Sequence, residues 1–377
     1  MLALAMGISR FSYTPILPFM TEATDLTTAT AGYLASSNYV GYLIGALLAG
    51  KLRGNLYRFI SFSVTCNIIS MIAMGMTDTY VVWLIMRFVA GITSGIIFVL
   101  VSSIVLDYLT TKNLGSWIGF LYSGVGVGIV VSGLLVPIFH KNSSWEGTWI
   151  YLGILSIMIA IIVFLLWKGN VTISSKTPKS SPVAPKHPFL IWMIIAYSLE
   201  GFGYIITATF LVDIVYSIPS LQEYASYSWV VVGISVIPST YLWMLAMKKW
   251  SPITVLCTAF FIQAVGVLLP ILSETVIGVF IAAFLFGITF MGITTICTSY
   301  ARQISLGNSN QILGTLTTFY ALGQILGPLF AGWLAWQSGN YKSSILLAGG
   351  ILLITIPLLL IGTKITNDRK EEQSCHT

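Results

Sequence analysis

The chain has 377 residues, and its 18 Lys and Arg against 12 Asp and Glu leave a formal charge of +6. A soluble protein this long carries roughly 90 charged side chains; here there are 18 + 12 = 30, while 56% of residues are hydrophobic and mean hydropathy is +0.90. That supply cannot build a water-facing surface, so a soluble enzyme, a secreted scaffold and a disordered chain are excluded, and lipid has to be the main solvent. Cys66, Cys257, Cys297 and Cys375 show no metal or redox spacing and read as buried or free thiols. His140, His187 and His376 fall in loops or tails. No catalytic centre, metal site or cofactor is expected from these residues.

In chain order, apolar runs fall at about 2–20, 30–50, 59–77, 79–106, 114–139 and 148–167. A polar, Pro-containing stretch at 168–188 follows, then runs at about 189–212, 226–247, 253–272, 275–298, 312–335 and 343–362. Each approaches the about 20 residues that carry a helix across a bilayer. The fold predicted is an all-α membrane protein of twelve transmembrane helices in two pseudo-symmetric six-helix bundles. Its divisions are an N-terminal bundle over 1–167, a mobile linker over 168–188, a C-terminal bundle over 189–363 and a tail over 364–377.

Basic residues give the orientation. With the N-terminus inside, cytoplasmic loops and tail hold Lys51, Arg53, Arg58, Lys112, Lys168, Lys176, Lys179, Lys186, Lys248, Lys249, Arg302, Lys364, Arg369 and Lys370, and the other side only Lys141 and Lys342. The net +6 is therefore a topology signal for a multi-pass inner-membrane protein with both termini cytoplasmic, not a nucleic-acid-binding patch. Arg10 interrupts the first apolar run and no basic segment precedes it, which argues against a signal peptide. The expectation is a chain that lacks some natural N-terminal residues or uses a late start.

The two halves repeat. Gly7 to Leu17 matches Gly201 to Leu211 at an offset of 194, and Phe88 to Thr93 matches Phe284 to Thr289 at 196. Leu114, Gly115, Phe120, Gly124, Gly128 and Gly133 match Leu313, Gly314, Phe319, Gly323, Gly327 and Gly332 at 199. Parallel six-helix repeats are the organisation of major facilitator transporters.

Specific motifs carry the resemblance further. Gly7-x-x-Arg10-Phe11-x-Tyr13-x-x-x-Leu17-Pro18-x-Met20 and Glu200-Gly201-x-Gly203-Tyr204-Ile205-Ile206-x-Ala208-Thr209-Phe210-Leu211 resemble the first and seventh helices of the YbfB/YjiJ group of the major facilitator superfamily. Phe286-Gly287-x-Thr289-Phe290-Met291-Gly292 is similar to that group's tenth helix, and Leu316-Thr317-x-x-Tyr320-x-x-Gly323-Gln324-x-x-Gly327-Pro328 to its eleventh. The superfamily motif after the second helix is degraded, with Gly54 where an aspartate is usual, so gating schemes built on that aspartate do not transfer. The resemblance implies a transporter and leaves the cargo open.

An ionisable side chain in lipid is costly unless paired or wetted, so each one inside a span is a functional candidate. Arg10 shares a helix face with Tyr13, and reads either as a positive charge in a central cavity or as half of a structural ion pair. Glu200, with Tyr204 on its stripe, reads as a proton-coupling carboxylate or as a permanently ionised partner of Arg10. Arg87 opens Arg87-x-x-x-Gly91-x-x-x-Gly95, a superfamily pattern whose resemblance implies proton relay or substrate contact; snorkelling to the interface is the alternative. Asp213, at a span end, is expected at the interface. Asn38, Thr317, Tyr320 and Gln324 are neutral candidates for cargo contact or for bonds between helices. The glycine rows Gly41/Gly45 and Gly115/Gly119/Gly124/Gly128 read as close-packing surfaces.

No GxxxxGK[ST] phosphate loop is present. The function expected is a non-enzymatic secondary transporter of a small organic solute by alternating access, coupled to protons. Two intramembrane arginines against one glutamate favour an anionic or zwitterionic cargo, and the 20 Phe, 18 Tyr and 11 Trp equally permit an aromatic or amphipathic one. A transporter-derived membrane sensor and a carrier without proton coupling are the alternatives.

Overall fold

In lipid a backbone must satisfy its own hydrogen bonds, and the described residues of this chain do so as a series of helices. The structure, a computed structural model, describes residues 1–112, 117–167, 187–304 and 309–375. Helix α1 has two parts, Ala3–Arg10 and Tyr13–Ala23; α2 is Thr28–Ala49, α3 Leu56–Met74, α4 Tyr80–Thr111, α5 Ile118–Asn142 and α6 Trp145–Leu166. The second half comprises α7 Phe189–Tyr216, α8 Ala225–Lys249, α9 Pro252–Leu272, α10 Val276–Ile304, α11 Ser309–Ser338 and α12 Lys342–Cys375. The twelve expected helices are present, in two six-helix halves. Most of the expected linker lies outside the described residues, as does Gly115. The last helix continues to Cys375 past the expected end near 362, because no proline or glycine interrupts the polar run after Gly362.

Local chemistry sets the helix starts. The hydroxyls of Thr27 and Thr30 and the backbone N–H groups of the same two residues form a reciprocal capping box on α2. Asn55, Ser144 and Ser251 accept backbone N–H bonds at the starts of α3, α6 and α9, the last with Pro252 in the first turn. Gly54, ahead of the Asn55 cap, has φ +110°, a conformation that favours glycine over the aspartate expected there.

Ten of these helices are long and apolar enough to span a bilayer. The exceptions are α1 and α2, and the reasons differ. Helix α1 is wound as a π-helix up to Arg10, where Phe11 N–H bonds to Met6 O at 3.1 Å, and only then turns α-helical. Helix α2 is rich in Gly, Ser, Thr and Asn and is packed between other helices. Small residues permit that packing: a Cβ on Gly41 would lie 3.0 Å from Ile92 N of α4. The internal repeat is visible as packing too. Gly7 meets Gly128 of α5 in the first half, and their repeat partners Gly201 and Gly327 mediate contact between α7 and α11 in the second.

Candidate functional site

The two halves touch at one end and part at the other. At the closed end, Thr14 Oγ1 donates to Ala208 O at 2.6 Å and Ser36 Oγ to Ile325 O at 2.7 Å. Thr28 Oγ1 donates to Gly332 O at 3.1 Å, and the Tyr216 hydroxyl to Glu22 Oε2 at 2.9 Å. From there a cavity of about 540 Å³ opens between the halves toward the end that carries Lys248 and Arg302.

Arg10 lies in the cavity wall where the π-helical segment ends, and is 3% exposed. Its guanidinium carbon stands 4.1 Å from the Tyr42 ring centroid, 4.7 Å from Tyr39 and 5.5 Å from Phe11. Rings stabilise a cation without neutralising it. Nε and Nη2, the two nitrogens of one guanidinium edge, have no hydrogen-bond partner among the described residues. That edge has the geometry to hold a carboxylate by two parallel bonds.

The second half supplies the facing wall. Tyr320 of α11 stacks on Tyr197 of α7 at 4.1 Å and 11°, and lies parallel to Tyr204 at 5.6 Å and 7°. Phe290 of α10 continues the row, 5.2 Å from Tyr204. Gln324 donates through Nε2 to the Tyr204 hydroxyl, while its buried Oε1 has no partner. Thr317 completes this wall. Arg10, Lys248 and Arg302 are the charged residues of the lining, which contains no Asp or Glu among the described residues.

Other sequence candidates sit elsewhere. Tyr13 is buried outside the lining, its hydroxyl donating to Ala31 O at 2.9 Å. Arg87 is 2% exposed and held 4.5 Å above the Tyr13 ring, which is burial in the first half and not snorkelling. Asn38 Nδ2 donates to Arg87 O at 2.9 Å, a bond between α2 and α4. Asp213, expected at the interface, lies near the end of α7, is buried within the protein and accepts from the hydroxyl of Tyr341, the residue before α12.

Glu200 is fully buried and behind the cavity wall, outside the lining. Gln263 of α9 and Tyr320 face its carboxyl within hydrogen-bonding reach, and no ion pair to Arg10 forms among the described residues. The alternative in which Arg10 permanently neutralises Glu200 does not describe this conformation. Sequence reading missed Tyr39, Tyr42, Phe290 and Gln263. The first two stand three residues apart on one face of α2, and Gln263 is a lone amide in an otherwise apolar span, signals that were available. No group of three His, Cys, Asp or Glu suited to a metal occurs among the described residues.

Comparison with known proteins identifies the family. Residues 2–360 match the profile described as "Uncharacterised MFS-type transporter YbfB". The chain belongs to this major facilitator family and is a multi-pass integral membrane protein. It is 23% identical to the hexuronate transporter of Bacillus subtilis over 89% of this chain and 86% of that one. It is also 23% identical to the cis,cis-muconate transport protein of Acinetobacter baylyi, over 48% of each, so that match spans about half of the relative's length. Among solved structures it is similar to the nucleoside transporter NupG, with TM-score 0.72, 14% identity and 96% and 97% of the two chains covered. A bacterial homologue of the lysosomal transporter Spinster, in an inward-facing and occupied conformation, gives TM-score 0.71 at 16% identity, covering 96% of both. These likenesses establish the fold and the transporter class.

Proposed function

We propose that this major facilitator protein carries a small organic anion across the inner membrane by alternating access. The unpartnered guanidinium edge of Arg10, buried in the wall of a cavity whose lining has basic but no acidic residues among the described residues, carries the reading. A buried cation without a counterion is costly, and an incoming carboxylate offsets that cost. The relatives named for hexuronate and cis,cis-muconate, both carboxylates, accord with such a cargo.

The excess of Lys and Arg makes the open end cytoplasmic, with both termini on that side. The conformation is then inward-open, and the moving bodies are the halves 1–167 and 189–363, with 168–188 and 364–377 in the cytoplasm. Gln324, Thr317, Tyr204 and Tyr320 contact the cargo opposite Arg10. Tyr13, Asn38 and Arg87 support α1 and α4 from behind, and Arg87 takes no part in proton transfer in this state. Glu200 is the proton site: without an ion-pair partner among the described residues and screened from the cavity by Tyr320, it loads or releases a proton as the wall rearranges.

The test is uptake of a panel of organic anions into proteoliposomes, with and without an imposed pH gradient. Anion accumulation driven by the gradient is expected. Uptake of cations or neutral solutes in preference to anions would overturn the reading.

A further inference from the structure

The cavity has more chemistry than an anion requires. Tyr204, Tyr320 and Phe290 form a continuous row in the wall, each stacked or tilted against the next, so the row turns ring edges rather than open faces to the cavity. Met6, Met244 and Met291 line the same space, and thioethers pack well on ring edges. A row of ring edges favours the face of an aromatic cargo, because edge-to-face contacts are worth more for a ring than for a saturated chain of equal area. Gln324 adds a demand of its own. One end of its amide is engaged by Tyr204 and the other, Oε1, is a buried acceptor without a donor. A buried acceptor that the cargo leaves unmatched costs binding free energy.

Resting on the organic-anion reading and sharpening it, we infer that the cavity selects an aromatic carboxylate bearing a ring hydroxyl. The carboxylate occupies the Nε/Nη2 edge of Arg10, the ring lies among Tyr204, Tyr320 and Phe290, and the hydroxyl donates to Gln324 Oε1. The specificity determinants are therefore divided between the halves: Arg10 of α1 reads charge, and α7, α10 and α11 read shape and the hydroxyl. A cargo that engages both walls draws the halves together, which is what alternation needs from binding.

The experiment uses the purified full chain in lipid nanodiscs and four closely matched probes: 4-hydroxybenzoate, benzoate, cyclohexanecarboxylate and 4-hydroxybenzamide. Affinities are read from intrinsic fluorescence or thermal stabilisation. 4-Hydroxybenzoate should bind about fivefold or more tightly than benzoate, and benzoate about fivefold or more tightly than cyclohexanecarboxylate. The neutral amide should not compete. In Gln324→Leu the ratio between 4-hydroxybenzoate and benzoate should fall to about one, a ratio that global loss of folding does not mimic. Equal binding of benzoate and cyclohexanecarboxylate overturns the aromatic inference and leaves the anion reading standing. Equal binding of 4-hydroxybenzamide and 4-hydroxybenzoate overturns both. Failure of every aromatic acid to bind overturns the inference, and the aliphatic acid in the same assay then decides the anion reading separately.

Discussion

The Tyr216 hydroxyl donates to Glu22 Oε2 at 2.9 Å, tying the end of α7 to the end of α1 across the closed face of the molecule. Both residues are the last turns of helices that repeat symmetry makes equivalent, so the bond joins the two halves where they must separate for the other conformation to form. A hydrogen bond to a carboxylate at an exposed site contributes about 1 kcal/mol, or about fivefold in a two-state population. Tyr216→Phe should shift the population toward opening at this face by about that factor. Spin labels at Thr24→Cys and Ser217→Cys report it as a longer-distance component, and an unchanged distance distribution would show that the bond does not hold the gate.

Arg10 yields the sharpest test of the cavity. Arg10→Lys keeps the charge but loses the two-nitrogen edge, and Arg10→Ala loses both. Two charge-assisted bonds are worth about 3 kcal/mol, so Arg10→Ala should weaken cargo binding by about a hundredfold. Arg10→Lys should lie between, at about tenfold. Monodisperse protein with normal helix content and wild-type transport by Arg10→Ala would remove Arg10 from the site.

How much of this was legible in the sequence depends on the kind of interaction. Span number, the repeat and the candidacy of Arg10 and Glu200 follow from one-dimensional signals: apolar length, offset and the cost of charge in lipid. The neighbours of those residues do not. The two rings nearest Arg10 come from α2, and the amide facing Glu200 from α9, at sequence separations no helical periodicity encodes. Asp213 is bonded by Tyr341, 128 residues away and just ahead of α12, so a position near a span end is a poor guide to exposure. Even α1 defeats a simple reading, because the π-helical winding that ends at Arg10 displaces the residues after it from a regular 3.6-residue face.

Glu200 separates coupling from carriage. Glu200→Gln has the shape of the protonated acid but cannot exchange the proton, so accumulation driven by a pH gradient should vanish while cargo–cargo exchange at equal pH persists. Exchange is measured by counterflow of labelled cargo in proteoliposomes. The sign follows directly: wild-type counterflow should respond to external pH and that of Glu200→Gln should not. Gradient-driven accumulation surviving in Glu200→Gln would assign the proton to another group.

Two neighbouring glycines of α5 distinguish a folding contact from a moving one. A Cβ on Gly128 would stand 2.6 Å from Gly7 Cα, inside the first half, where no conformational cycle relieves it. Gly128→Ala should therefore destabilise the protein by about 1–3 kcal/mol and lower its melting temperature in every state. A Cβ on Gly126 would stand 2.7 Å from Gly233 O and 3.0 Å from Ile237 N, both on α8 of the opposite half. This contact joins the halves on the cavity side of Arg10, level with Ala3 to Gly7, so a change in how α5 meets α8 during the transport cycle relieves the strain in Gly126→Ala. Gly126→Ala should keep its melting temperature nearer the wild-type value and shift the population between the two conformations by about five- to a hundredfold. The distance between labels at Thr24→Cys and Ser217→Cys reads this in both backgrounds. Equal loss of melting temperature in the two variants, with no change in that distance, would mean that α5 and α8 remain in fixed contact.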